Sequence, residues 1–156
     1  RLSETSKKNR DTISPWIKHP ENFRFFQHDD LIFLLPAHAV HEIGTLLHHL
    51  RFVYGGTNVA RVKHDKFIPE HALALSIVLE ESFFPAADLD LPTCIQYLRR
   101  ESILLPDLPK GYALMKFMGM PVGWVNSLES RVNNLYPQEW RIRMVPAKDG
   151  GTTGLH

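Results

Sequence analysis

The sequence predicts an α+β fold. Three observations carry that expectation. Apolar runs bounded by turn residues recur at 23–26, 31–35 and 112–125, and an apolar stripe at helical spacing runs from Val40 to Leu50. The hydrophobic content is 44% over 156 residues, enough to bury a core in one ordinary domain or two small ones.

The opening RLSETSKKNRDTIS is polar and charged without apolar periodicity, and reads as a flexible linker over residues 1–14, with order beginning near Trp16. Phe23 to Phe26 and Leu31 to Leu35 read as two strands joined through His28, Asp29 and Asp30, with Pro36 closing the second. Between Ala37 and Leu50, the residues Val40, Ile43, Leu47 and Leu50 share one face, which predicts a helix. Phe52 to Tyr54 and Thr57 to Val62 read as strands around a Gly55-Gly56 turn, so the first part is one helix packed on a small sheet. Pro69 followed by good helix formers as far as Glu81 predicts a second helix, a bridge between two halves, with Ala72, Leu75 and Leu79 on one side.

Phe83 to Leu91 is extended, and Pro92 to Arg100 is a short helix with Ile95 and Leu98 facing inward. Pro106 and Pro109 remove backbone donors and make 105–111 a loop. Tyr112 to Met118 and Val122 to Val125 read as strands flanking a Gly119-Met120-Pro121 connection, and Arg141 to Met144 as a strand pairing back on them. The end, from Pro146 to His156, reads as a flexible tail, and no internal repeat is present.

Composition narrows the function classes. A formal charge of +1 excludes a general polycation, so affinity for nucleic acid must come from local clustering. Cys94 is the one cysteine and has no internal disulfide partner, and no long uncharged apolar run spans a bilayer; a reducing cytoplasmic compartment is expected. The chain opens on Arg1 without an initiator methionine or a signal pattern, which suggests a piece of a longer protein.

Several catalytic signatures start and break off. His41-Glu42 opens like a zinc-protease motif, but Thr45 stands where the second histidine belongs. His38 and His41 lie three apart near Glu42, yet nothing completes a metal site, and His48 is about 10 Å from His41 along a helix axis. No glycine fingerprint for a dinucleotide, no phosphate-cradling loop and no nucleophile elbow around Ser76 appears. Thr93-Cys94 matches a pair found in RNA 5-methylcytosine methyltransferase centres, but Cys94 has no neighbouring base or cofactor loop and reads as a packed thiol. No catalytic or metal-binding residue is expected.

The closing run from Gly119 to Arg143 is different, because it gathers arginines, carboxamides and flat rings in one short stretch. Those side chains bind phosphates, base edges and base faces, so the run reads as a nucleic-acid contact surface. The alternative is a hairpin whose Trp124, Tyr136 and Trp140 fill a small barrel core. On a strand from Val122 to Asn126, Val122, Trp124 and Asn126 share a face, leaving Trp124 either as core or as a stacking platform beside an amide. Arg131, Arg141 and Arg143, with Lys116, are the phosphate candidates, and Arg141 and Arg143 put two forks on one strand face.

The stretches KFIPEHALALS at 66–76, YLRRE at 97–101, KGYALMKFMGMPVGW at 110–124 and RVNNLYPQEWRIR at 131–143 together resemble the C-terminal region of Sun-type rRNA 5-methylcytosine methyltransferases, similar to rRNA small-subunit methyltransferase F. The resemblance covers most of Trp16 to Met144, and its most specific part is Pro121, Gly123-Trp124, Asn134, Tyr136-Pro137 and Arg141. It implies a small mixed α/β subdomain at 15–84 packed on a PUA-like β-barrel at 85–145, the RNA-binding fold shared with pseudouridine synthases. It implies a noncatalytic RNA-binding segment, with Lys116, Trp124, Asn126, Arg131, Asn134, Tyr136, Arg141 and Arg143 as contact residues. The implied partners are structured rRNA or the small ribosomal subunit, and a catalytic domain in cis that uses S-adenosylmethionine. The alternative function is a protein-interaction module docking that catalytic domain or a ribosomal protein. Asn126 stands where the family carries a lysine, and Glu129 and Arg100 stand where it favours glycine. The first two changes lower the expected RNA affinity, and the third requires Arg100 to adopt a left-handed cap or the helix to end differently.

Overall fold

Strand β2 (Phe23–His28) pairs antiparallel with β3 (Leu31–Pro36), from Phe23 opposite Pro36 to His28 opposite Leu31. Asp29, at φ 52°, supplies the left-handed residue of the turn between them. Residues Ile32 to Leu35 are all buried, because both faces of β3 are covered. Ile32 and Leu34 join Phe25 in the main core, while Phe33 and Leu35 join Phe26 in a second cluster reached by Val40. The structure, a computed structural model, describes residues 3–40 and 56–143. Residues 37–40 are helical; the rest of the helix predicted to Leu50, the strand at 52–54, Gly55, the His41, Glu42, Thr45 and His48 positions, Met144 and the tail at 146–156 all lie outside the described residues.

Strand β4 (Thr57–Lys63) continues the sheet, and Gly56 before it is required by close approach: a Cβ there would lie 2.3 Å from the Leu34 carbonyl oxygen. A strand that sequence reading missed, β5 (Lys66–Pro69), pairs with β4 through a two-residue turn in which His64 and Asp65 have φ of 49° and 61°. Such turns normally announce themselves by Asn-Gly or Asp-Gly, and the pair here carries no glycine. Pro69 therefore ends a strand instead of opening a helix, and the predicted second helix shrinks to α2 (His71–Ala74). Its inward residues are Leu73 and Ala74; Leu75 and Ile77 are exposed, while Leu79 is buried and bridges Ile17. Ser76 closes the turn by accepting the Val78 N–H.

The first residues form ordered elements instead of a linker. β1 (Ser3–Glu4) pairs with β2 opposite Gln27 and Phe26, and Glu4 makes an ion pair with Arg24. Ser6 caps α1 (Lys7–Ile13), its Oγ accepting the Asn9 N–H at 3.3 Å. The helix anchors through Ile13, which is fully buried beside Trp16. One apolar residue in a seven-residue helix gives no periodicity to read. All neighbours in the order β1-β2-β3-β4-β5 are antiparallel.

The second sheet has the order β6-β7-β8-β9. β6 (Ala86–Leu89) runs parallel to β7 (Gly111–Phe117), and α3 (Leu91–Leu98) lies in the connection between them. Asp90 caps α3, accepting the Thr93 N–H at 2.8 Å. β7 and β8 (Met120–Ser127) form a hairpin on the two-residue turn Met118-Gly119, at φ 51° and 76°, so Met120 and Pro121 belong to the strand and not to the connection. β9 (Val132–Asn134) pairs with β8 and forms the sheet's edge. Among the described residues both sheets are open, so the expected mixed α+β content is present without a closed barrel.

The faces of β7 and β8 divide the core. Leu114 and Trp124 join the main cluster with residues of the first sheet, whereas Ala113, Met115 and Val125 pack with Leu89, Cys94, Tyr97 and Ile103 under α3. The inward face of α3 is thus Cys94 and Tyr97, with Leu98 partly buried, and not Ile95. No helix of the described residues is long and apolar enough to cross a membrane. Replacing Ile13→Ala is expected to lower the free energy of unfolding by about 3 kcal/mol in urea denaturation, against no change if residues 1–14 were a solvated linker.

Candidate nucleic-acid interface

Helix α3 ends in a way that collects the closing segment. Arg99 caps it in helical geometry and Arg100 follows at φ 60°, the left-handed cap that is one of the two outcomes expected from the missing glycine. The Arg100 N–H donates to the Tyr97 carbonyl at 2.9 Å and the Glu101 N–H to that of Gln96 at 3.0 Å, the paired bonds of a Schellman cap. The Asn134 amide nitrogen, arriving on β9, donates to the carbonyls of Tyr97 (2.8 Å) and Glu101 (3.3 Å), while its oxygen accepts the Tyr136 N–H at 2.9 Å. Arg100 in turn donates to Gln138 Oε1 (2.9 Å) and the Asn134 carbonyl (3.4 Å). Finally, the Ile142 N–H donates to the Leu98 carbonyl at 3.0 Å.

These bonds bring Arg99, Arg100, Arg141 and Arg143 to the C-terminal end of α3, where the helix dipole favours positive charge. Arg99 lies 4.0 Å from Glu101. Arg141 and Arg143 are exposed and make no ion pair among the described residues. They are not on a strand: residues 141–143 are irregular, and Arg141 has an extended backbone at φ −57°, ψ 138°.

The remaining predicted contact residues separate. Trp124 is core: it is 1% exposed, its ring lies 4.6 Å from that of Phe84, and its Nε1–H donates to the Glu70 carbonyl at 2.9 Å. A base has no access to it. Val122 is not on its face, because β8 bulges there: Met115 faces Gly123 while Lys116 faces Pro121, and Val122 packs under α3. Asn126 is half-buried between Tyr112 and Asn133. Lys116 is held by Glu81 at 2.5 Å, four residues up β7 from Tyr112. Arg131 is exposed at the far end of β9 from Asn134, about 10 Å along the strand. Asn134 and Tyr136 reach the same end of α3 as Arg141 and Arg143, but as the parts that fasten the segment.

Beneath the segment lies an aromatic group that sequence reading did not assemble. The Tyr97 hydroxyl donates to the Trp124 carbonyl at 3.0 Å, and burial pushes its pKa far up, so it stays a donor. Tyr136 packs edgewise on Tyr97 (5.5 Å) and on His71 (5.3 Å), and His71 edgewise on Trp140 (5.0 Å). His71 Nδ1 is buried without a partner, and burial lowers the imidazole pKa. Trp140 is 56% exposed. Gly123 explains why glycine precedes Trp124: at φ 153°, a Cβ there would lie 2.2 Å from the Tyr97 hydroxyl oxygen and 3.2 Å from His71 Nδ1.

Cys94 is buried, and burial raises its thiol pKa away from the reactive thiolate. No group of three metal-ligand side chains comes together among the described residues.

Residues 84–142 match the family model described as Methyltransferase RsmF PUA domain. The match supports a PUA-like C-terminal region of the RsmF type over these residues, which contain β6 to β9, α3, the Asn134 clasp and Trp140. No curated protein matched the chain.

Gly123→Ala is expected to cost about 3 kcal/mol of stability in urea unfolding, and Tyr97→Phe about 1–2 kcal/mol. The double variant should lose less than the sum, since the second change removes the atom that the new methyl group meets. A pH dependence follows from His71. Its folded pKa lies below the ordinary value of 6.5, so the unfolded chain binds more protons below that pH. The contribution is neutral above about pH 6.5 and destabilising as pH falls beneath it. The urea midpoint of wild type should drop between pH 7.5 and 5.5 by more than that of His71→Phe.

Proposed function

We propose that this chain is the noncatalytic, RNA-docking C-terminal portion of an S-adenosylmethionine-dependent rRNA (cytosine-5-)-methyltransferase. On this reading residues 15–84 are a small α/β subdomain, and the β6–β9 sheet is one wall of a PUA-like barrel spanning 85–145. The cofactor and the attacking thiolate belong to a catalytic domain in cis, and the protein works in the cytoplasm, where a lone buried thiol stays reduced. The observation that carries the reading is the convergence of Arg99, Arg100, Arg141 and Arg143 on one end of α3, the first three inside the PUA match and the fourth directly after it, beside an exposed indole. In a chain of formal charge +1, such a local cluster is what phosphate binding requires.

The arginines divide the work. Arg141 and Arg143 extend into solvent as phosphate forks, while Arg100 is spent partly on Gln138 and the Asn134 carbonyl. Lys116 and Asn126 contribute less, the first being neutralised by Glu81 and the second lacking charge. The second reading, a protein-interaction module, is favoured by one observation. A groove of about 460 Å³ lies between the 103–108 loop and the β8–β9 turn, and Leu104, 90% exposed, and Leu128 lie along it. A pull-down that retains the catalytic domain or a ribosomal protein but no RNA selects that reading.

The Arg141→Ala/Arg143→Ala variant should bind structured rRNA at least about tenfold more weakly near physiological salt, with a shallower dependence of log affinity on log salt by about 0.7–0.9 per lost phosphate contact. Unchanged affinity and slope in filter-binding titrations would remove the RNA-docking assignment from this surface.

A further inference from the structure

Of the three tryptophans, Trp16 and Trp124 are 6% and 1% exposed, whereas Trp140 is 56% exposed and belongs to none of the hydrophobic clusters. Its single ring neighbour among the described residues is His71, at 5.0 Å and an interplanar angle of 87°. Whichever ring presents its edge in that perpendicular packing, at least one face of the indole carries no other ring. The backbone that carries the ring is fastened. Trp140 closes the 3-10 turn Gln138–Trp140, with its N–H donating to the Pro137 carbonyl at 3.1 Å; Gln138 is held by Arg100, and Ile142 is held by Leu98. A large apolar surface is left in water on a braced turn, with Arg141 next to it in the chain and Arg143 two residues further on.

We infer that Trp140 is a stacking platform for an unpaired RNA nucleotide, whose base lies on the free indole face while neighbouring phosphates meet Arg141 and Arg143. This rests on the RNA-docking reading above and narrows its substrate to RNA with a loop, bulge or flipped-out base. Inside a duplex both faces of each base are occupied by its stacked neighbours, so away from the helix ends only an unpaired base offers a face to the ring. Stacking on an aromatic is indifferent to base identity, so sequence preference is not expected from this contact. His71 and Tyr136 act as positioning residues beneath the platform.

The test compares an RNA hairpin carrying an unpaired purine loop with a blunt duplex of the same length, each titrated against the 156-residue chain. Because Trp16 and Trp124 are buried, fluorescence quenching on hairpin addition reports Trp140. Trp140→Leu should weaken hairpin binding about tenfold and leave duplex binding unchanged, while Trp140→Phe, which keeps a flat ring, should hold affinity within about twofold and lose the quenching. Full hairpin affinity in Trp140→Leu, or equal loss for hairpin and duplex, overturns the platform. Salt-dependent binding without preference for the hairpin also overturns it, yet leaves the RNA-docking reading standing. Failure of the folded wild type to bind either RNA overturns both.

Discussion

The contact on which the second sheet depends is the one between the Tyr97 hydroxyl and the Trp124 carbonyl. It requires the phenol to enter the space that a side chain at residue 123 would fill, so glycine is obligatory there. With Gly123 in place, β8 bulges at Val122, and the strand delivers Trp124 to one core and Val125 to the other. The indole then reaches out of its own sheet to the Glu70 carbonyl, directly before α2. Tyr97 works from its other end as well. Its backbone carbonyl receives the Arg100 N–H and the Asn134 amide, so one residue anchors the helix cap, the edge strand and the hairpin. Buried polar groups so fully paired are costly to disturb, because each lost partner leaves the other desolvated.

That geometry explains what the sequence disclosed and what it withheld. Strands β2, β3, β7 and β8 announced themselves through apolar runs bounded by turn residues, and helix α3 through the apolar spacing read from Pro92 to Arg100. β5 did not, because His64 and Asp65 occupy left-handed positions that glycine usually marks. The helix expected from Pro69 to Glu81 failed for a related reason: its good helix formers were outweighed by the pairing of 66–69 with β4 and by the burial of Leu79 against Ile17. The charge of the closing segment was legible in Arg141 and Arg143. Its partners Arg99 and Arg100 were not, since only the fold lays Ile142 against Leu98. The rings were visible as a list but not as roles, because exposure separates Trp124 from Trp140 and composition does not.

Several other cations of the described surface are paired with carboxylates. Lys116 meets Glu81, Lys110 meets Glu129, and Arg61 meets both Asp30 and Glu70. Such pairs add little stability when solvated, but they flatten the potential around them. At the end of α3 the backbone brings Arg99, Arg100, Arg141 and Arg143 together near Glu101, and the excess of guanidinium groups gives a chain of nearly zero net charge a polarised face. Arg99, Arg100 and Arg141 of this cluster lie within the PUA match at residues 84–142, and Arg143 directly follows it.

The Ile142 to Leu98 hydrogen bond has a thermodynamic corollary. Fastening the last residues of the β6–β9 unit brings four cations together, so mutual repulsion works against the fastening and a polyanion works for it. Closure of this hem, the segment 138–143 fastened to the end of α3, and capture of a polyanion are therefore linked equilibria, each raising the other by the same factor. A chain whose hem has come loose would lose its polarised face while keeping both cores, and a strand of phosphates would restore the face by drawing the hem shut.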